Sequence, residues 1–404
     1  MVASDLIIAP HILLPKAGVD LHKFAVIACD QFTSQPEYWK ELDRLVGEAP
    51  STLRMVFPEA YLSRVNQDQY IRAINQSIDK YLTESVLRDI GVGFILVERV
   101  TSSNKRRLGL MLAIDLEAYS YEPGTSAPIR ASEATIVERI PPRLKIREHA
   151  AIEIPHVLVL FDDEKKTIIE PIYRNRSRLP LLYDFDLNQN GGHLRGYFVK
   201  DTDSIMKAFT KLFTGRELLL IIGDGNHSLA TAKAHWDKIK VALPDQERTK
   251  HPARYSLVEA TNIYDEGIEF EPIHRLVVKA GSDFIPGLKQ AVSGEQPNIL
   301  YTKKLGRTSF NLPSNSPRAY EQVQAYIDHY LKLHRDAEVD YIHGLDDLLQ
   351  LADLRDDAVA IAMPALTKSD VFAYLNAGTV LPRKAFSMGH ANDKRYYLES
   401  KSIK

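Results

Sequence analysis

The amino-acid sequence predicts a mixed α/β fold, on three observations. Short apolar runs of strand length are interleaved with segments of helical period. The two kinds alternate irregularly, which favours a mixed sheet with flanking helices over a regular doubly wound one. One segment, residues 218–236, passes straight from a buried strand through a polar turn into a helix. The 404 residues, 45% hydrophobic and 26% charged, have room for two domains or one large core.

The elements follow in chain order. Ser34 precedes Pro36 and reads as the cap of a helix with proline in its first turn. Tyr70, Ile71, Ile74, Ile78 and Tyr81 share one helical face over 66–82. Residues 93–100 and 108–115 read as strands, joined as a hairpin by polar 101–107. Residues 157–161 form a short strand, and 202–213 a helix with Ile205, Phe209 and Leu212 inward. A strand is expected at 255–262, an amphipathic helix at 318–334 and a strand at 358–363. Thr367-Lys-Ser-Asp370 matches a capping pattern, and Gly378 would end the helix it opens. The Gly-, Pro- and Ser-containing stretch 281–316 is placed as a boundary. It separates a main α/β domain, 1–280, from a C-terminal α/β portion, 281–404, which stands alone or packs into the same fold.

The segment 218–236 carries the chemistry. Five apolar residues, Leu218 to Ile222, make the strand, and Leu229, Ala232 and Trp236 give the helix one inward face. Between them lie Asp224, Asn226, His227 and Ser228, where a sheet ends and a helix begins. Open α/β sheets bind ligands at such strand ends, and a helix N-terminus suits an anion. Gly223 and Gly225 can take positive φ and admit a ligand to the backbone. Asp224 can accept a proton or hold a metal, and His227 can donate to a phosphate or shuttle a proton. Ser228 can cap the helix. The plainer alternative is a tight turn capped by Asp224 and Ser228, which would not require four polar groups together.

Several familiar sites are excluded. No lysine follows the glycines as in a P-loop, and Ser228 stands where a dinucleotide fingerprint needs its third glycine. There is no His-Glu-x-x-His, and His227 and His235 are eight residues apart, about 12 Å along a helix, too far for one zinc ion. A Gly-x-Ser-x-Gly elbow is absent. With 53 acidic and 51 basic residues, the net charge of −2 argues against coating nucleic acid. Cys29 is the sole cysteine, so no intrachain disulfide forms and a cytoplasmic location is expected. The start Met1-Val-Ala-Ser-Asp-Leu6 lacks a signal-peptide pattern, and no run reaches the roughly 18 apolar residues of a membrane span. A homodimer is compatible with all of this.

Asp224-Gly-Asn-His-Ser228 resembles the Asp-Gly-His-His-Arg signature of domain-of-unknown-function family 1015. The likeness also runs through Ala25-Val-Ile-Ala-Cys-Asp-Gln-Phe-Thr-Ser34, Ile129-Arg130, Phe270-Glu-Pro-Ile-His-Arg275 and Leu381-Pro-Arg-Lys-Ala-Phe-Ser387. Here Asn-His-Ser replaces His-His-Arg, which removes a guanidinium able to clamp a phosphate. The signature is also similar to a box of ParB- and sulfiredoxin-like folds, some of which are kinases of free serine. The resemblance therefore implies a ParB/sulfiredoxin-like core around the turn, and nucleotide-dependent phosphoryl transfer to serine or a similar small hydroxy metabolite.

Under that implication the remaining candidates take roles. Asp30, after the apolar run Phe24 to Cys29, would be the base or a magnesium ligand; alone it reads equally well as a turn acid. Cys29 itself reads as a small core residue. Gly225, Asn226 and Ser228 would cradle phosphate, while Asp224 binds Mg2+ or ribose and His227 and Lys384 stabilise developing charge. Arg130 could grip an anionic substrate or form a surface ion pair. His274 and Arg275 could approach the turn or simply pack. Lys384, beside Arg383 and Ser387, is otherwise a solvated basic loop. The cations Arg139, Arg143, Lys145 and Arg147 are bracketed by Glu138 and Glu148 and read as a solvated face. The expected ligands are Mg2+, ATP or ADP, and a small substrate. The rivals are a hydrolase of a phosphorylated metabolite and a non-catalytic ParB-like nucleotide-binding regulator.

Overall fold

The computed structural model describes residues 3–133, 135–382 and 384–404. Among them the chain divides into two compact units. The first holds Met1–Ala131, Thr135–Ile268 and His390–Lys404, the second Ser132–Ala134 and Glu269–Gly389. The mixed α/β expectation is borne out in both.

The first unit is built on a ten-stranded sheet. Its order is Leu181–Asp186, His193–Val199, Phe94–Val100, Arg106–Asp115, Tyr255–Asn262, Leu158–Phe161, Leu220–Asp224, Ile129–Ala131, Tyr119–Ser120, with Ile7–Ile8 paired to Arg106–Asp115. Phe94 to Val97 and Leu110 to Ile114 have no exposed surface, so these central strands are covered on both faces and read as unbroken apolar runs. They form the expected hairpin, with Val100 opposite Arg106. Most pairs are antiparallel, but Leu158–Phe161 runs parallel to Tyr255–Asn262, and Leu220–Asp224 parallel to Ile129–Ala131. The sheet is therefore mixed, as the irregular alternation required.

Two short pairings tie the last residues into this unit. Tyr396–Tyr397 pairs with Val26–Ile27, and Lys401–Ser402 with Ile152–Glu153. Arg395, just before the first of these strands, is buried and donates to Glu259 Oε2 at 2.5 Å and to Glu399. A guanidinium and two carboxylates can share this interior only because each is hydrogen-bonded to another.

The second unit has a six-stranded antiparallel sheet, in the order Gly306–Leu312, Gln296–Thr302, Val359–Ile361, Phe270–Val278, Glu338–His343, with Phe386–Met388 on the other end of Phe270–Val278. Helix Ser316–Leu333 buries Tyr320, Val323, Ile327 and Tyr330. Leu348 and Ala352 of helix Leu345–Asp353 pack with Leu276, Ile342, Ala358 and Ala360.

Several local expectations change. The first predicted helix is Pro36–Val46, and Ser34 does not cap it: Gln35 holds that position, with no side-chain hydrogen bond. The apolar run before Asp30 makes only a two-residue strand, Val26–Ile27, because helix Leu21–Phe24 takes its start. The stretch 281–316, read as a boundary, contains helix Phe284–Ala291 and the hairpin of Gln296–Thr302 and Gly306–Leu312.

Candidate functional site

The strand of the motif ends on Asp224 and its helix runs Asn226–Lys240. Leu229, Ala232 and Trp236 are buried, and the Trp236 indole N–H donates to Glu117 Oε1 at 2.6 Å, which fixes the helix on the sheet. Gly225 makes the corner at φ 85, while Gly223 stays in the strand and takes no positive φ. Asp224 Oδ1 accepts the Gly225 N–H at 2.9 Å, so this carboxylate holds the corner itself. The first bond of the helix runs from Leu229 N–H to the Gly225 carbonyl at 3.0 Å. The amides of Asn226, His227 and Ser228 therefore precede the ladder and point from the helix start. Ser228 sits inside the first turn, not at the cap. His227 Nε2 accepts the Ile136 N–H at 3.3 Å, which places the ring hydrogen on Nδ1. Asn226 Oδ1 is buried with no hydrogen-bond partner among the described residues.

Asp30 follows the Val26–Ile27 strand in a turn held by two aromatics. The Trp39 indole N–H donates to the Gln31 carbonyl at 3.3 Å. Phe32, in the left-handed region at φ 51, stacks on Tyr38 at 4.1 Å. Burial opposes ionisation of Asp30. His156, the Gln31 amide at 3.1 Å and Lys394 outweigh it, and the carboxyl is held below the ordinary carboxylate range. Behind it, the Tyr397 hydroxyl accepts the Cys29 N–H at 3.1 Å and lies 2.9 Å from His156 Nδ1. Burial, with Asp30 nearby, pushes the Cys29 thiol up to about 12, so Cys29 is a packed thiol and no nucleophile.

Lys394 pairs with Asp224 and acts on Asp30 through its charge alone. Its Nζ lies 3.2 Å from Asp224 Oδ2, and its charge also acts on Asp30. This residue and His156 escaped the sequence reading. Neither stands in a recognisable motif; the available signal was the polar cluster His390-Ala-Asn-Asp-Lys-Arg395 near the end of the chain.

Asp30, Asp224, Gly225, Asn226, His227 and Ser228 all belong to the first unit, and Lys394 acts on both carboxylates. Arg130 also belongs to this unit: its Nε donates to the Ala127 carbonyl at 2.7 Å, and it feels Glu217, which lies before the start of the motif strand. His274, Arg275 and Lys384 belong to the second unit. There His274 Nδ1 accepts the Met363 N–H at 2.9 Å in a buried position. Arg275, also buried, donates to Gln324 Oε1 at 2.9 Å and to the carbonyls of Ile273 and Lys384. Both do structural work inside that unit. Lys384 is exposed, and its N–H donates to Glu133 Oε2 at 3.2 Å. Arg383 and the side chain of Arg139 lie outside the described residues. Arg143, Lys145 and Arg147 pair with Glu59, Asp68 and Glu153.

No group of three or more His, Cys, Asp or Glu side chains able to cage a metal occurs among the described residues. Magnesium asks less, since it keeps its waters and takes one or two carboxylates plus phosphates. Asp30 and Asp224 are the two carboxylates considered for it, and Lys394 Nζ lies 3.2 Å from Asp224 Oδ2.

A family model described as "Protein of unknown function (DUF1015)" matches residues 13–356. The chain belongs to this family. Among solved structures it is similar to a conserved hypothetical protein from Pyrococcus furiosus, 13% identical, covering 73% of this chain and 95% of that one at a TM-score of 0.37. It is similar to a free serine kinase in complex with AMP, 12% identical, covering 73% and 91% at a TM-score of 0.40. A third is SbnI with C-terminal truncation from Staphylococcus aureus, 11% identical, covering 69% and 82% at a TM-score of 0.37. Likenesses of this depth assign no residue of this DUF1015 chain a role. No curated protein matches it. Among the described residues no helix is long and apolar enough to cross a membrane.

Proposed function

We propose that the first unit is a nucleotide-dependent phosphotransferase whose acceptor is free serine or a similar small hydroxy metabolite. One observation carries the reading: Asp224, at the turn into the helix N-terminus Asn226 to Ser228, pairs with Lys394, whose charge also helps to keep the Asp30 carboxyl ionised. That arrangement holds phosphate at one end and orients a hydroxyl at the other. The choice of a serine-like acceptor follows from the sequence resemblance.

Phosphoryl transfer is positioning and charge neutralisation more than covalent work by the protein. The amides of Asn226, His227 and Ser228 hold the phosphoryl oxygens of ATP or ADP. Asn226 Oδ1, buried and unpaired, accepts from a ligand hydroxyl. Asp30 accepts a hydrogen bond from the acceptor hydroxyl and orients it in line with the terminal phosphorus. A new O–P bond forms, the bond to the nucleotide leaving oxygen breaks, and the hydroxyl proton passes to Asp30. A carboxylate held below its ordinary range is a weak base, and a loose transition state needs a strong one least. The His227 Nδ1–H donates to the charge that develops on the phosphoryl group. A magnesium ion arriving with the phosphates would be held by Asp30 and Asp224 and would supply further neutralisation.

A thermal-shift screen of ATP, ADP and AMP with small amino and hydroxy acids tests the reading, because a true ligand stabilises by mass action. The expected result is a rise in unfolding temperature with a nucleotide, and a further rise with a hydroxy amino acid. Stabilisation by phosphorylated metabolites alone, with nucleotides inert, would instead identify a hydrolase.

A further inference from the structure

We propose that Lys394 is the phosphate-binding cation of this site, set in place by a backbone clamp centred on Arg99. The inference rests on the phosphotransferase reading and deepens it.

The motif has no formal cation of its own. Ser228 is uncharged, no P-loop lysine follows the glycines, and His227 already accepts a backbone amide through Nε2. Two carboxylates beside a phosphate would repel it. Lys394 answers that problem: its Nζ is 3.2 Å from Asp224 Oδ2, beside the Gly225 corner. Its side chain is only 11% exposed, unlike a solvated surface lysine. A compact ammonium on a flexible stem suits a phosphoryl group as a point charge.

The lysine is also placed by buried hydrogen bonds to the chain around it. Arg99, 1% exposed, directs its guanidinium at main-chain carbonyls: Lys394 at 2.6 Å, Asn392 at 2.9 Å and Gly191 at 2.8 Å. Its neighbour Ser102 donates twice to Asp393 Oδ1, from N–H at 2.8 Å and from Oγ at 2.7 Å. The chain on either side of the Lys394 stem is thereby fixed, while the stem itself reaches the motif. Arg99 is a positioning residue, and Lys394 touches the ligand.

The test is calorimetric titration of the full chain with ATP, ADP, inorganic pyrophosphate and adenosine, for the wild type, Lys394→Met, Lys394→Gln and Lys394→Arg. Loss of the cation in Met or Gln should weaken the three phosphate-bearing ligands roughly tenfold or more, with adenosine unchanged and Lys394→Arg intermediate. Two neutral replacements guard against misfolding of either one, and thermal midpoints verify both. Unchanged affinity for ATP, ADP and pyrophosphate in Met and Gln overturns the proposal while leaving the phosphotransferase reading intact. A parallel loss of adenosine binding overturns it too, since the lysine would then only support the fold. A wild-type chain that binds no nucleotide and no pyrophosphate defeats both.

Discussion

Gly225 shows how little latitude the corner has. A Cβ there would lie 3.0 Å from Val157 Cα and 3.1 Å from its Cγ2, on a backbone already at φ 85. Gly225→Ala should cost about 1–3 kcal/mol in urea denaturation, from strain and contact together. It should weaken nucleotide binding as well, because the amides of 226–228 start from that corner. At the reacting end, Asp30→Asn keeps the shape and removes the charge. It should slow single-turnover transfer by roughly a hundredfold or more, as should Asp224→Asn and His227→Ala. Unchanged rates would remove the residue concerned from the chemistry. The pH dependence has a definite sign. The Asp30 carboxyl is depressed in the folded chain by His156, the Gln31 amide and Lys394, so the stability they give is full above the unfolded value of about 3.9 and is lost as pH falls through the lower folded value. Activity that needs this carboxylate should therefore persist down to pH about 4, and an acid limb near neutrality, read from kcat/KM against pH, would belong to another group.

At the scale of elements, two buried histidines make the fold acid-sensitive. His235 on the motif helix is pushed down to about 4 by burial and then Arg147; His274 in the second unit is pushed down to about 4 by burial and then Arg275. Unfolded histidine titrates near 6.5, so between about 6.5 and 4 the unfolded chain binds more protons and stability falls with pH. Each contributes on the order of 3 kcal/mol to that loss. His274→Gln, which keeps an acceptor for the Met363 N–H, should flatten the dependence in denaturation series at stepped pH. A slope unchanged by the substitution would mean that His274 takes up its proton in the folded chain. Arg99→Ala would strand three carbonyls and should cost about 3 kcal/mol or more. Elements with a full period were legible in the sequence: Thr202–Phe213, Tyr255–Asn262 and the helix with Thr367 as its cap lie where spacing placed them. Val26–Ile27 and Tyr396–Tyr397 were not, because two residues carry no period and their partner lies some 370 positions away.

Over the whole molecule, what was legible in the site is what is contiguous. Asp224, Gly225, Asn226, His227 and Ser228 are one turn, and their chemistry can be read without knowing the fold. Asp30 could be named only by resemblance, since a turn acid and a working acid look alike in sequence. His156 and Lys394 reach this region through sheet order and through the return of His390–Lys404 to the first unit, which no local pattern announces. Arg275 and His274 were read either as approaching the turn or as packing; both are buried in the second unit, where His274 accepts the Met363 N–H and Arg275 donates to Gln324. In the proposed function the corner after Ile222 holds the phosphoryl group of the nucleotide while it passes in line to a small hydroxyl. The most direct measurement is phosphorus NMR of the intact chain incubated with L-serine and ATP or ADP. A phosphoserine resonance that grows with nucleotide and fails to grow with Asp30→Asn is the expected result. No phosphorylated product from serine or related hydroxy metabolites, with either nucleotide, would contradict it.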